Sequence, residues 1–71
     1  MINLEDRCME ELIEHYGERY TILYGILDKS SSVIYYLLIK SGKRVELVSI
    51  YQLGNGFGLE VEYSVPIEEL Q

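Results

Sequence analysis

The sequence is poor in cysteine, histidine and proline, and these shortages exclude several classes of protein. It holds one cysteine, one histidine and one proline in 71 residues, and no tryptophan. The single cysteine, Cys8, cannot form an intramolecular disulfide, and secreted domains of this size usually depend on such cross-links. A transition-metal site needs several His or Cys ligands at close spacing, which His15 and Cys8 alone do not provide. We expect a cytoplasmic protein without a metal ion or cofactor.

Basic residues and long apolar runs are scarce as well. Lys and Arg number 6 against 12 Asp and Glu, which gives a formal net charge of -6. This charge repels a phosphate backbone, so we expect no direct contact with nucleic acid. No apolar run approaches the roughly 20 residues that span a bilayer, and the N-terminal segment is acidic where a secretory signal is basic. We therefore expect no membrane contact either.

The residues that are present first predict an amphipathic helix over residues 4–16. Asn3 is placed to act as the N-cap, and Gly17 suits the position just after the C-terminus. The whole chain, residues 1–71, has the length of a single domain. The apolar residues that recur at helical spacing are Leu4, Cys8, Met9, Leu12, Ile13 and Tyr16.

Four segments rich in β-branched, aliphatic and aromatic residues follow the helix and predict four strands. In chain order they read YTILYGIL, VIYYLLI, VELVSIYQL and FGLEVEYSV. The connections between them are short, so consecutive strands should pair antiparallel. The sequence therefore predicts an α+β fold in which the N-terminal amphipathic helix packs on a four-stranded antiparallel β-meander.

The glycine-rich stretch 54–58, GNGFG, has two interpretations. A phosphate-binding loop requires a helix after the glycines, and here a strand follows. A hairpin turn fits better, because glycine adopts the positive φ that tight turns need. With a three-residue loop, Leu53 is predicted to face Phe57.

This register divides the sheet into two unlike faces. One face carries pairs such as Leu47 with Tyr63 and is almost entirely apolar. The other face places Ile50 opposite Glu60 and is partly charged. The amphipathic helix is predicted to cover the first of these faces.

The second predicted strand is apolar on both sides, so the face turned away from the helix also needs cover. We expect this face to form a homodimer interface, because apolar patches with tyrosines usually mark association. The alternative is cover within the monomer, by a bend of the first strand or by residues 66–71 folding back. The predicted interface residues are Tyr35, Leu37, Ile39, Val48 and Ile50.

The residue types present do not support catalysis. A dyad of Cys8 and His15 would place the nucleophile inside the apolar stripe of the helix, where a buried and inert thiol is expected. We therefore predict a protein that is not an enzyme and has no catalytic residue.

The helix also carries a row of like charges, Asp6, Glu10 and Glu14, which we call the acidic row. Carboxylates four residues apart destabilise an isolated helix by a few tenths of a kcal/mol per pair, so their presence suggests a role other than stability. We interpret the acidic row as a binding site for a partner with a basic surface. The competing explanation is solubility alone.

These observations predict a small acidic protein that binds another protein as a regulator, inhibitor or adaptor. Phage and mobile-element proteins that block a host machine share this size and charge, which is an analogy of class alone. Two alternatives are open: a homo-oligomeric structural or assembly subunit, and a small-molecule binding module at a dimer interface.

Overall fold

The computed structural model describes residues 4–28 and 33–70 and shows one helix followed by a four-stranded sheet. The elements are α1 (Asp6–Tyr16), β1 (Thr21–Leu27), β2 (Val33–Ser41), β3 (Arg44–Leu53), β4 (Gly56–Pro66) and the 3₁₀ turn η1 (Ile67–Leu70). All three strand pairs are antiparallel and the strand order is β1-β2-β3-β4. The predicted α+β fold with a β-meander is confirmed.

The helix α1 begins two residues later than predicted and ends where predicted. Glu5 occupies the N-cap position without a side-chain cap hydrogen bond. The predicted cap, Asn3, lies outside the described residues. At the other end Gly17 adopts a φ of 70°, and its N–H donates to the carbonyl oxygen of Ile13 at 2.7 Å. Glycine tolerates this positive φ without steric cost, so the helix can terminate there.

The core lies between α1 and one face of the sheet. Cys8 and Leu12 of α1 are fully buried. The sheet residues that complete the cluster, each exposed by 4% or less, are Tyr35, Leu37, Ile39, Val48 and Ile50. These five were expected to form a homodimer interface, and the structure corrects that assignment. Their side chains are already buried within one protomer, so they have no apolar area left to offer a second copy.

A β-bulge in β4 explains why the helix covers this face. Far from the turn, Leu47 faces Tyr63 as predicted. The register then shifts by one residue at Glu62, so that Val48 faces Val61. A one-residue shift exchanges the two faces of a strand. Val61 consequently joins the core cluster, and this face becomes apolar where the sequence had predicted a partly charged one.

The hairpin turn between β3 and β4 has two residues rather than the predicted three. Leu53 faces Gly56, and Gly54 adopts a φ of 56°. Two-residue hairpin loops require positive φ, which glycine supplies. The interpretation of this stretch as a hairpin is confirmed, whereas the predicted pairing of Leu53 with Phe57 is wrong by one residue.

The two-residue turn between β2 and β3 is Gly42-Lys43 rather than Ser41-Gly42. Each residue of β2 therefore pairs with a residue two positions farther along β3 than a turn at Ser41-Gly42 would give. Leu38 faces Leu47, and Ser41 faces Arg44. A shift by two residues leaves every side chain on its own face, because side chains alternate with a period of two. The face that includes Leu38 and Leu47 is the one turned away from α1, and we call it the open face.

Candidate protein-binding surfaces

The open face carries a row of large side chains that crosses all four strands. Tyr24 faces Leu38, Leu38 faces Leu47, and Leu47 faces Tyr63. The exposed fractions are 65% for Tyr24, 38% for Leu47 and 67% for Tyr63. At the usual strand spacing this cross-strand row is roughly 14 Å long. The sequence predicted that Leu47 pairs with Tyr63 on an apolar face, but it also predicted that the helix covers this face, so an exposed row was not expected.

An apolar groove of about 430 Å³ lies at one end of this row. The turn η1 forms one of its walls, held by a hydrogen bond of 2.8 Å from the N–H of Ile67 to the carbonyl oxygen of Lys43. The C-terminal segment thus folds back over the face turned away from α1, as one alternative had suggested, although this face carries Leu38 and Leu47 rather than the residues predicted for it. It leaves Tyr63 and Leu70 exposed. The groove is lined by Leu38, Val45, Leu47, Tyr63, Val65, Glu69 and Leu70.

The open face becomes polar on the other side of the cross-strand row. Ser49 is only 1% exposed, and its hydroxyl donates to Oε1 of Glu62 at 2.8 Å. The bulge that exchanges the faces of β4 therefore also directs the Glu62 carboxylate to a buried partner. Farther along, the Tyr51 ring lies over Gly58, where an added Cβ would come within 2.7 Å of the ring carbons. Around Ser49 the open face is consequently more polar than at the end that contains the groove.

The acidic row lies on the opposite side of the molecule. Asp6, Glu10 and Glu14 are all exposed on α1, and the buried residues of α1 face the sheet. On the flank of α1 next to β4, the Arg7 guanidinium packs over the ring of Phe57, 5.0 Å from its centroid. Arg7 also donates to the backbone oxygen of Asn55. The structure therefore presents the acidic row and the groove as two separate surfaces.

A polar network joins the C-terminal end of α1 to β3 and β4. The hydroxyl of Tyr16 donates to Oε1 of Glu46 at 2.8 Å, and Nε of Arg44 donates to Oγ of Ser64 at 2.7 Å. A hydrogen bond with the Ser64 hydroxyl lowers the pKa of the Glu46 carboxyl. Partial burial raises this pKa, while the hydrogen bond from Tyr16 and the nearby cations lower it further. Burial, followed by the bond to Glu46 and its charge, raises the pKa of Tyr16 well above its ordinary value.

These shifts predict that Tyr16→Phe lowers stability and changes its pH dependence. A lowered carboxyl pKa stabilises the fold above its ordinary value of 4.5, and this contribution is lost as the pH falls. A raised tyrosine pKa stabilises the fold below its ordinary value of 10 and is lost as the pH rises. Removing the hydroxyl should lower the free energy of unfolding by about 1 kcal/mol at neutral pH. It should also make the decrease in stability at alkaline pH smaller than in the wild type.

Urea unfolding of the wild type and Tyr16→Phe at acidic, neutral and alkaline pH measures this effect. Tyr20→Phe is the matched control, because the Tyr20 ring lies 5.9 Å from that of Tyr16 on the same side of the fold. Equal losses for the two variants would show that the bond to Glu46 contributes nothing specific.

The two residues considered for nucleophilic catalysis lie in different environments. Cys8 is fully buried, and burial, followed by the charges of Glu5 and Glu11, raises the pKa of its thiol. His15 is exposed and packs edge-on against Tyr16, with ring centroids 4.5 Å apart. Within the described ranges, no group of three or more His, Cys, Asp or Glu side chains is placed to hold a metal ion.

The fold and these surfaces define a small α+β protein with an apolar groove on its open sheet face and a carboxylate row on its helix. No known protein family, curated protein or solved structure matches the chain. Among residues 4–28 and 33–70, no helix has both the length and the apolar character needed to cross a membrane. The function of this protein is therefore inferred from its own surfaces.

Proposed function

We propose that this is a cytoplasmic, non-enzymatic binding protein that acts by contact with another protein, as a regulator, inhibitor or adaptor. The cross-strand row of Tyr24, Leu38, Leu47 and Tyr63 is the observation that carries the proposal. Exposed apolar patches on small soluble proteins usually mark sites of association, and tyrosine is enriched where binding energy concentrates. Two tyrosines that are 65% and 67% exposed at the ends of an apolar row fit that description.

The partner that suits the groove is a protein segment with an apolar anchor side chain beside Lys or Arg. The groove walls are mainly leucine, valine and tyrosine, and the carboxylate of Glu69 lies among them. An apolar anchor would be desolvated in the groove, while a neighbouring cation would pair with Glu69 at its exposed edge. The net charge of -6 favours the approach of such a basic partner.

The acidic row contributes to this function from a distance. It lies across the molecule from the groove, so one short segment cannot contact both surfaces. Charges outside a contact mainly raise the association rate, whereas contacts in a desolvated site mainly set the dissociation rate. We assign capture of a basic partner to the acidic row and its retention to the groove.

Selection of binders from a displayed library of random peptides tests the proposal. Wild-type protein should enrich peptides that combine an apolar residue with an adjacent Lys or Arg. The double variant Tyr63→Ala and Leu70→Ala should weaken binding of these peptides at least tenfold. Leu53→Ala is the matched control, because Leu53 is 62% exposed and lies roughly 20 Å from Leu47 along β3. Failure to enrich any peptide, or equal binding by the double variant, would contradict the proposal.

A charge variant tests the role of the acidic row with the same peptides. Glu10→Lys combined with Glu14→Lys should lower the association rate about tenfold at low salt and leave the dissociation rate unchanged. The difference from the wild type should shrink as salt is added. An unchanged association rate would remove the acidic row from the function.

One alternative function also has a specific observation in its favour. The groove volume of about 430 Å³ lies in the range of small-molecule sites, which run from about 300 to 1,000 Å³. A small-molecule binding module would show thermal stabilisation that depends on ligand concentration. The groove is continuous with the exposed side chains of Leu47 and Tyr63, however, and this favours a protein partner.

A further inference from the structure

The strand β1 is an edge strand that lacks most of the features that normally protect an edge. It pairs with β2 on one side, and no strand of the described residues pairs with its other side. Sheet edges expose unpaired N–H and C=O groups and are usually protected by Lys, Pro or bulges. Thr21–Leu27 contains no charged residue and no proline. A bulge lies between Ile22 and Tyr24, so the segment from Tyr24 to Leu27 keeps regular pairing geometry.

The opposite edge, β4, is protected. It carries the exposed carboxylates of Glu60 and Glu62 and ends in Pro66. A bulge interrupts its pairing with β3, and α1 packs beside it through Arg7 and Phe57. Like charges would repel a second copy at β4, because the carboxylates of both copies would meet there. The difference between the two edges therefore singles out β1.

The side chains of β1 are exposed on both faces of the sheet. Tyr24 and Ile26 are 65% and 51% exposed on the open face, and Leu27 is 47% exposed on the other. On α1, Met9 and Ile13 are 41% and 48% exposed on the flank turned away from β4. The protomer exposes 5133 Å² of accessible surface, against roughly 4,600 Å² expected for a compact monomer of 8.3 kDa. Part of this exposed surface consists of apolar side chains of β1 and of the neighbouring flank of α1.

We propose that two copies of the chain pair β1 against β1, antiparallel about a two-fold axis, into one continuous eight-stranded sheet. A neutral strand lets two protomers of charge -6 meet without like charges at the contact. A register centred on Gly25 places Tyr24 opposite Ile26 of the partner subunit, and these residues lie in the regular part of β1. Moving the axis one residue later would bring Asp28 opposite Tyr24 of the partner subunit.

This geometry has a consequence for the open face. A two-fold axis perpendicular to the sheet puts both helices on one side and both open faces on the other. The cross-strand rows of the two subunits then lie on one surface, with a groove at each end. The proposed dimer forms through the edge of β1 and does not depend on what the groove binds.

Light scattering over a hundredfold dilution, together with amide hydrogen exchange, tests the proposal. The wild type should be a dimer at high concentration, with the amides of β1 that point away from β2 exchanging at least tenfold more slowly than in the diluted monomer. Ile26→Lys should be a folded monomer without that protection. Leu53→Lys is the matched control, because it adds the same charge at a side chain 62% exposed on β3 and should remain a dimer.

Several results would overturn the proposal. These are a wild-type monomer at every concentration, a dimer that survives Ile26→Lys, or a dimer whose outward β1 amides exchange freely. Tyr24→Lys serves as a second variant if Ile26→Lys does not fold, since Tyr24 is the more exposed of the two. Peptide binding by a monomeric Ile26→Lys protein would show that the groove functions without the dimer, so the two proposals can fail separately.

Discussion

Leu37→Asp is expected to unfold the protein. Leu37 is fully buried on β2, between its pairing partners Gly25 and Val48, on the face covered by α1. A buried carboxylate without a partner costs several kcal/mol. A chain of 71 residues has a total stability of roughly 4–10 kcal/mol, so this one substitution removes most or all of it.

Circular dichroism and thermal unfolding measure the effect of Leu37→Asp. The variant should lack a cooperative transition, whereas Leu53→Asp should stay within about 0.5 kcal/mol of the wild type, because Leu53 is 62% exposed. A folded, monomeric Leu37→Asp protein would support a self-interface on this face, as the sequence had suggested. Such a result would contradict the core that the structure shows.

Leu12→Ala is expected to have the next largest effect. Leu12 is fully buried and, with Cys8, forms the buried part of the contact between α1 and the sheet. Truncating a buried leucine costs about 3–5 kcal/mol, because the transfer free energy is lost and a cavity is left behind. In a domain of this size such a loss lowers Tm by more than about 10 °C.

Ile13→Ala is the matched control for Leu12→Ala. Ile13 is the next residue on the same helix and is 48% exposed, so its truncation should cost less than about 1 kcal/mol. Chemical denaturation of the wild type and both variants gives the comparison directly. Losses of similar size would mean that α1 does not pack on the sheet through the Cys8 and Leu12 stripe.

The helix could be predicted from the sequence because its pattern is local. The spacing of Cys8 and Leu12 matches the helical period, and these two residues are the buried ones. Gly17 marks the helix end because only the residues around it decide whether a positive φ is tolerated. The start of α1 was predicted two residues too early, since Glu5 takes the N-cap position without a capping side chain.

The strands and their order could also be predicted, for a related reason. Short connections allow consecutive strands little choice except antiparallel pairing, and glycines at Gly42 and Gly54 provide the positive φ of the turns. Pairing far from the β3–β4 turn followed the predicted register, as Leu47 with Tyr63 shows. Errors arose where the turn length and the bulges decide the register.

Of the two candidate binding surfaces, the sequence revealed one and not the other. Asp6, Glu10 and Glu14 were recognised from their spacing, and the structure places all three in one exposed row. The groove was missed, because it combines side chains from β2, β3, β4 and the turn η1 that are up to 32 residues apart. No local pattern reports such a combination, since it depends on how the C-terminal segment folds back across the open face.

The sequence by itself determined the helix, the four strands, their antiparallel order and the presence of apolar residues on both faces of the sheet. Only the tertiary structure decided which face α1 covers. One unpaired residue, Glu62, exchanges the faces of half of β4 and brings Val61 opposite Val48 in the core. The bulge is compatible with the fold because the Glu62 carboxylate accepts a hydrogen bond from the buried Ser49 on the neighbouring strand. That stabilisation depends on a partner 13 residues away, so it exists only once β3 and β4 are paired.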